Sequence, residues 1–188
     1  PPSGLYLPPP IDILAWKASE KSLRRYIREA WHVVEPATPF VPGFHLDAIA
    51  EHLEAVTNGQ IRNLLINVPP RHMKSLAVSV FWPTWEWIAH PERRWIYSAY
   101  ALSLSIRDSL KCRRLIESPW YQERWGDRYE LTADQNAKVR YDNNKTGYRI
   151  ATSVDGLGTG EGGDRVVVDD PHSARDADSV AVRESTLT

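Results

Sequence analysis

Short apolar runs that alternate with helix-patterned stretches constrain this chain more than any other feature. RNLLINV at 62–68, RWIYSAY at 94–100, YRIATS at 148–153 and RVVVDD at 165–170 have strand length, and some are apolar throughout. Between them, Lys74 to about Ala89 and residues 101–117 have the pattern of helices, the first bent or interrupted at Pro83. A strand with no polar face has to be covered on both sides. The alternation therefore predicts an α/β fold, a mostly parallel sheet flanked by helices.

Upstream, residues 11 to about 34 read as one helix, and 46–56 as another with Leu46, Ile49, Ala50 and Leu53 on one face. EPATPFVPGFH at 35–45 separates them, because its three prolines and one glycine cannot continue a helix. PPSGLYLPPP, with five prolines in ten residues, predicts an extended or mobile arm. The expected organisation is an arm and helical extension over 1–37 followed by the sheet domain over 38–188. The first residue is not methionine, and DADSVAVREST at 176–186 stops within a helical pattern, so the chain reads as part of a longer protein.

A length of 188 residues suffices for one buried core. The formal net charge of -1 excludes polyanion binding through bulk charge and leaves only local basic patches. The single cysteine, Cys112, excludes an internal disulfide and suits a reducing, intracellular setting. No apolar run is long enough for a membrane span. Eight tryptophans are expected as core or interface anchors. His32, His90 and His172 have no ligand-like spacing, so no zinc site is expected.

The candidate chemistry starts at NVPPRHMKSL, residues 67–76. A phosphate-binding loop needs main-chain N–H groups converging on an anion, a helix start behind it and a lysine for the outer phosphates. Lys74 supplies the charge, Ser75 a hydroxyl for Mg²⁺, and Leu76 onward the helix. The stretch has no glycine; Val68 and Met73 stand where the G-x-x-x-x-G-K-[ST] pattern has its two. Pro69 and Pro70 remove two donors but fix a rigid turn. Met73 is expected at an ordinary negative φ, with its side chain turned from the anion. The alternative is a proline-rich turn before an ordinary helix.

A second element stands about 90 residues on. RVVVDD is a β-branched strand ending in two carboxylates, as an Mg²⁺-holding Walker B strand does. Asp169 would hold Mg²⁺ with Ser75, and Asp170 would orient the attacking water; strand termination by Asp-Asp-Pro is the plainer alternative. TSVDGLGTGEGGDR at 152–165 holds five of the ten glycines and reads as a mobile loop or a flexible surface segment. Its Glu161 is the next candidate base.

FH at 44–45, INVPPRHMKS at 66–75 and GLGTGEGGDRVVVDDPHSARDADS at 156–179 resemble, in order and spacing, the ATPase domain of large terminase subunits of tailed bacteriophages and prophages. The resemblance covers about residues 38–188. It implies a P-loop NTPase with ATP and Mg²⁺ as ligands, driving double-stranded DNA through a portal protein into a procapsid. It implies a pentameric ring and a small terminase subunit as further partners, in the cytoplasm of a bacterial host. Carried over residue by residue, Pro70, Arg71, His72, Met73, Lys74 and Ser75 form the nucleotide loop. Arg71 senses or stabilises the γ-phosphate, Asp169 is the Walker B carboxylate, and Asp170 stands where the family often has glutamate. His45 stands near the adenine-contacting glutamine.

Arg107, Lys111 and Arg114 share one face of the 101–117 helix, and Arg24, Arg25 and Arg28 cluster upstream. Both sets are open to two readings, DNA-phosphate contacts or solvated surface. Two other functions also fit the sequence: another P-loop motor such as a helicase, and a nucleotide-binding assembly adaptor that does not hydrolyse.

Overall fold

The computed structural model describes residues 10–156, 160–173 and 179. The first nine residues of the proline-rich arm, positions 157–159 of the glycine-rich segment, and DADSVAVREST apart from Ser179 lie outside these residues. Three helices come first, α1 (Pro10–Glu20), α2 (Leu23–Val34) and α3 (Phe44–Thr57). A helical run then comprises α4 (Lys74–Leu76), a π-turn (Ala77–Phe81) and α5 (Trp82–Ala89). It is followed by β1 (Arg94–Ala99), α6 (Leu102–Glu117), α7 (Pro119–Trp125), β2 (Leu131–Asn136), β3 (Arg140–Asn143), β4 (Tyr148–Ser153) and β5 (Arg165–Asp169).

The expected single helix over 11–34 is two helices. Ser22 adopts an extended backbone (φ -143°, ψ 113°) and starts α2 afresh. Glu54 of α3 supplies the missing N-terminal acceptor, taking the Leu23 N–H at 2.6 Å. Tyr26 and Trp31 of α2 enter the same hydrophobic core as Phe81, Trp87, Tyr121 and Trp125. The Tyr26 hydroxyl also donates to Thr84 Oγ1 at 2.9 Å.

Among the described residues the sheet has five strands in the order β2-β3-β4-β1-β5. β4, β1 and β5 are parallel, whereas β2, β3 and β4 pair antiparallel, so the sheet is mixed rather than mostly parallel. The β2–β3 hairpin escapes a periodicity reading because LTADQN and RYDN carry few apolar residues. RNLLINV is not a strand. Leu64, Ile66 and Val68 pack on the core, and exposure alternates along the segment as it would in a strand. Among the described residues, however, no main-chain hydrogen bond to another main-chain group involves residues 62–68.

The helix from Lys74 to Ala89 forms as its pattern predicts, and Pro83 perturbs it in a specific way. In the π-turn the Trp82 N–H bonds Ala77 O instead of Val78 O. Pro83 has no N–H to offer Ser79 O. Both carbonyls find donors on the sheet: Tyr97 Oη donates to Val78 O at 3.0 Å, and Arg149 Nη1 to Ser79 O at 2.8 Å. Arg149 is fully buried, its guanidinium 3.8 Å from the centre of the Tyr97 ring. Burial pushes both the Tyr97 phenol and the neighbouring Cys112 thiol upward.

The basic face expected on α6 is largely tied up internally. Arg107 forks onto Asp108 at 2.8 and 3.2 Å, and Lys111 pairs with Glu35. Arg114 remains exposed.

If Arg149 serves the carbonyl that Pro83 abandons, the two residues are energetically coupled. Arg149→Met should destabilise the parent by roughly 1 kcal/mol more than it destabilises Pro83→Ala, where a helix N–H becomes available to Ser79 O. Urea unfolding of the four proteins of this cycle measures the difference. Equal losses in both backgrounds would show that Arg149 does not serve this carbonyl.

Candidate functional site

Because β1, β4 and β5 are parallel, their C-terminal ends at Ala99, Ser153 and Asp169 emerge on one edge of the sheet. Ligand sites in α/β proteins gather at that edge. The helical run that starts at Lys74 begins there. Lys74 Nζ lies 3.0 Å from Asp169 Oδ1 and 2.5 Å from Asp170 Oδ1, the latter 96 residues away in the chain. Burial lowers the Lys74 pKa, but hydrogen bonds to Asp170 and Asp169 outweigh it and hold the ammonium above its usual value.

Contacts on both sides of β5 fix its position. Arg165, its first residue, pairs at 2.7 Å with Glu86, which is almost wholly buried in α5. Asp164 accepts from the Arg94 N–H at 2.9 Å and from the Arg94 guanidinium at 3.1 Å. Those hydrogen bonds hold the Asp164 carboxyl below the usual carboxylate range. Beyond the strand, the Tyr100 N–H bonds Asp170 O at 3.1 Å, and Asp170 itself turns into the left-handed region at φ 47°. That turn leaves its carboxylate beside Lys74.

The loop ahead of Lys74 is curled by two more left-handed residues, Arg71 (φ 67°) and Met73 (φ 60°, ψ 13°). The expected negative φ at Met73 is therefore not found: methionine holds a conformation in which glycine is unstrained. Met73 O accepts the Ala77 N–H at 2.9 Å and so begins the helical run. Among the described residues the N–H groups of Arg71 and Met73 make no main-chain hydrogen bond and face no competing main-chain acceptor for an anion.

The His72 ring closes back on the turn, with Nδ1 2.9 Å from Pro70 O and 3.1 Å from Pro69 O, so Nδ1 carries the proton. Its ring centre lies 5.3 Å from that of His45, and His45 Nε2 is buried without a hydrogen-bond partner among the described residues. The structure thus brings His45 to the loop. Arg71 is exposed and forms no ion pair among the described residues. Ser75 follows Lys74 in the first helical turn.

Glu161 sits elsewhere. It pairs at 2.9 Å with Arg140, whose guanidinium lies over the ring of Tyr148, the first residue of β4. Gly162 O accepts from the Tyr148 hydroxyl. Glu161 is consequently at the opposite end of the parallel strands from Asp169, which removes it as an alternative base. The supports of β5, Arg94–Asp164 and Glu86–Arg165, carry no local sequence signal beyond their opposite charges.

No protein-family profile and no curated protein matches the chain.

The left-handed Met73 generates a direct test. Met73→Gly removes a side-chain penalty of about 1–2 kcal/mol. The same change adds roughly 0.5–1 kcal/mol of unfolded-state freedom. The variant is expected to be as stable as the parent or up to about 1 kcal/mol more stable in urea unfolding. A clear loss of stability would contradict the left-handed assignment.

Proposed function

We propose that the chain is a Mg²⁺-dependent ATP hydrolase whose turnover drives double-stranded DNA translocation, as its resemblance to large terminase ATPase domains implies. The observation that carries this reading is the meeting of Lys74 with Asp169 and Asp170 at the C-terminal edge of the parallel strands. A phosphate-binding lysine and metal-binding carboxylates must converge for phosphoryl transfer, and here distant sequence elements do so.

The residues suit the work. The N–H groups of Arg71 and Met73 and the Lys74 ammonium would receive the β- and γ-phosphates. Ser75 Oγ and the Asp169 carboxylate are hard oxygen donors of the kind Mg²⁺ accepts, which leaves other positions to phosphate and water. Bound Mg²⁺ supplies neutralisation of phosphate charge. Asp170, more exposed than Asp169, would orient a water in line with the γ-phosphate and draw off its proton. Arg71 is free to reach the γ-phosphate and stabilise charge as the bond to the β-phosphate breaks. His45 and His72 would face the nucleoside.

Titration with ATP and Mg²⁺, together with phosphate release, tests the assignment. Lys74→Ala should weaken nucleotide affinity by about 2–3 kcal/mol, the value of a charge-assisted contact. Asp170→Asn should keep affinity within a few-fold of the parent and lose turnover. Equal affinity in the parent and Lys74→Ala would reject the phosphate-loop reading. Binding without turnover in the parent would favour the assembly adaptor.

DNA contact rests on fewer groups. Arg107 and Lys111 are engaged with acids, leaving Arg114 and, on α2, Arg25 and Arg28 as exposed cations. Duplex binding should be weak and fall steeply between low and physiological salt, as phosphate contacts do. Tight binding insensitive to salt would point to base reading and away from this surface.

A further inference from the structure

The Lys74 ammonium contacts one oxygen of each carboxylate that a divalent cation would need. Asp169 Oδ1 and Asp170 Oδ1 both contact it, and neither carboxylate pairs with another basic side chain among the described residues. Arg107, the next cation along this edge, is committed to Asp108. Lys74 and Asp169 are only 23% and 16% exposed, so solvent screens their attraction weakly. An ammonium and a dication at contact with the same oxygen repel each other strongly at such a position. Asp170 reinforces the arrangement, since its left-handed backbone, held by the Tyr100 N–H, leaves its carboxylate at the ammonium.

We propose that Lys74 is the resident counter-ion of Asp169 and Asp170 in the nucleotide-free protein, and that it excludes divalent metal until a polyphosphate draws it away. This inference rests on the nucleotide reading of the same site. The lysine stem is long and flexible, and a triphosphate offers it more negative charge than two carboxylates. Transfer of the ammonium to phosphate uncovers Asp169 at the step in which the metal arrives. Metal and nucleotide then load together, and a metal-first order is disfavoured. Such an order guards the site against free cations, because Asp169 presents its charge only when there is a phosphate chain to neutralise.

Mn²⁺ is a suitable probe, with free ion measured by electron paramagnetic resonance on the whole chain and no nucleotide present. The parent should bind Mn²⁺ no more tightly than Asp169→Asn. Lys74→Met should bind it roughly tenfold or more tightly, because two carboxylates lose their counter-ion. Lys74→Gln, which keeps a polar head, should behave the same way. Adding Asp169→Asn to Lys74→Met should abolish the gain.

Equal Mn²⁺ affinity in the parent and both lysine variants would overturn the proposal, as would a gain that survives loss of Asp169. Titrating the parent separately with a fluorescent ATP analogue keeps the two readings apart. Failure there rejects the nucleotide site, whereas a flat Mn²⁺ series with intact nucleotide binding rejects the counter-ion role alone.

Discussion

Two main-chain carbonyls that their own helix cannot use hold the site to the sheet. The π-turn diverts the Trp82 N–H from Val78 O, and Pro83 offers none to Ser79 O. A buried carbonyl without a donor costs about 1–3 kcal/mol. Tyr97 on β1 and Arg149 on β4 meet that need, and in doing so lock the helix across two adjacent strands. Lys74 stands at the start of that helical run. The position of its ammonium relative to the sheet edge is therefore inherited from bonds made one turn and more further down the run. Arg149 works as a structural donor here, stacked on Tyr97 and shielded from water.

Against this rigid base the site itself is strained. Arg71, Met73 and Asp170 all hold positive φ, and each flanks a group the proposed chemistry uses. Glycine would relieve the first two, and the common form of such a loop has it. Here Pro69 and Pro70 restrict the approach instead, and the His72 ring bonds back to their carbonyls. The loop is shaped by proline and histidine where others rely on glycine's freedom. Three of the four non-glycine residues with positive φ among the described residues flank the Lys74 ion pair, a clustering expected of a functional centre.

The sequence made legible the features that depend on local pattern. The α/β alternation, the helix beginning at Lys74, β1, β4, β5 and α6 all follow from periodicity and terminal residues, and Lys74 and the Asp169–Asp170 pair could be named before their meeting was visible. Features that depend on a distant partner were not legible. The break at Ser22 is stabilised by Glu54, Lys111 on the α6 basic face is engaged by Glu35, and Glu161 is drawn away by Arg140. None of these partners is announced by spacing. The left-handed Met73 was misjudged for a related reason: residue type disfavours that conformation, and only the surrounding fold imposes it.

RNLLINV shows most clearly what a strand requires beyond its residues. Its alternating burial and apolar composition satisfy the pattern for a strand, yet among the described residues it has no ladder. β5 is its neighbour across a cavity of about 310 Å³ lined by residues 62–66 and 164–169, with Lys74 at one end. Among the described residues β5 is paired with β1 on one side only, so both flanks of this cavity carry strand-like backbone without a ladder there. Leu65, Val166 and Val168 are 92%, 58% and 45% exposed, high values for such residues in adjoining segments. Side-chain packing of Leu64, Ile66 and Val68 onto the core is enough to keep the segment extended. Pairing is a separate condition, because each ladder bond needs a second edge within about 5 Å. The phosphate-loop candidate consequently enters its helix from a segment held by side chains alone, and the contact of Lys74 with β5 bridges the two sides of the gap at their functional end.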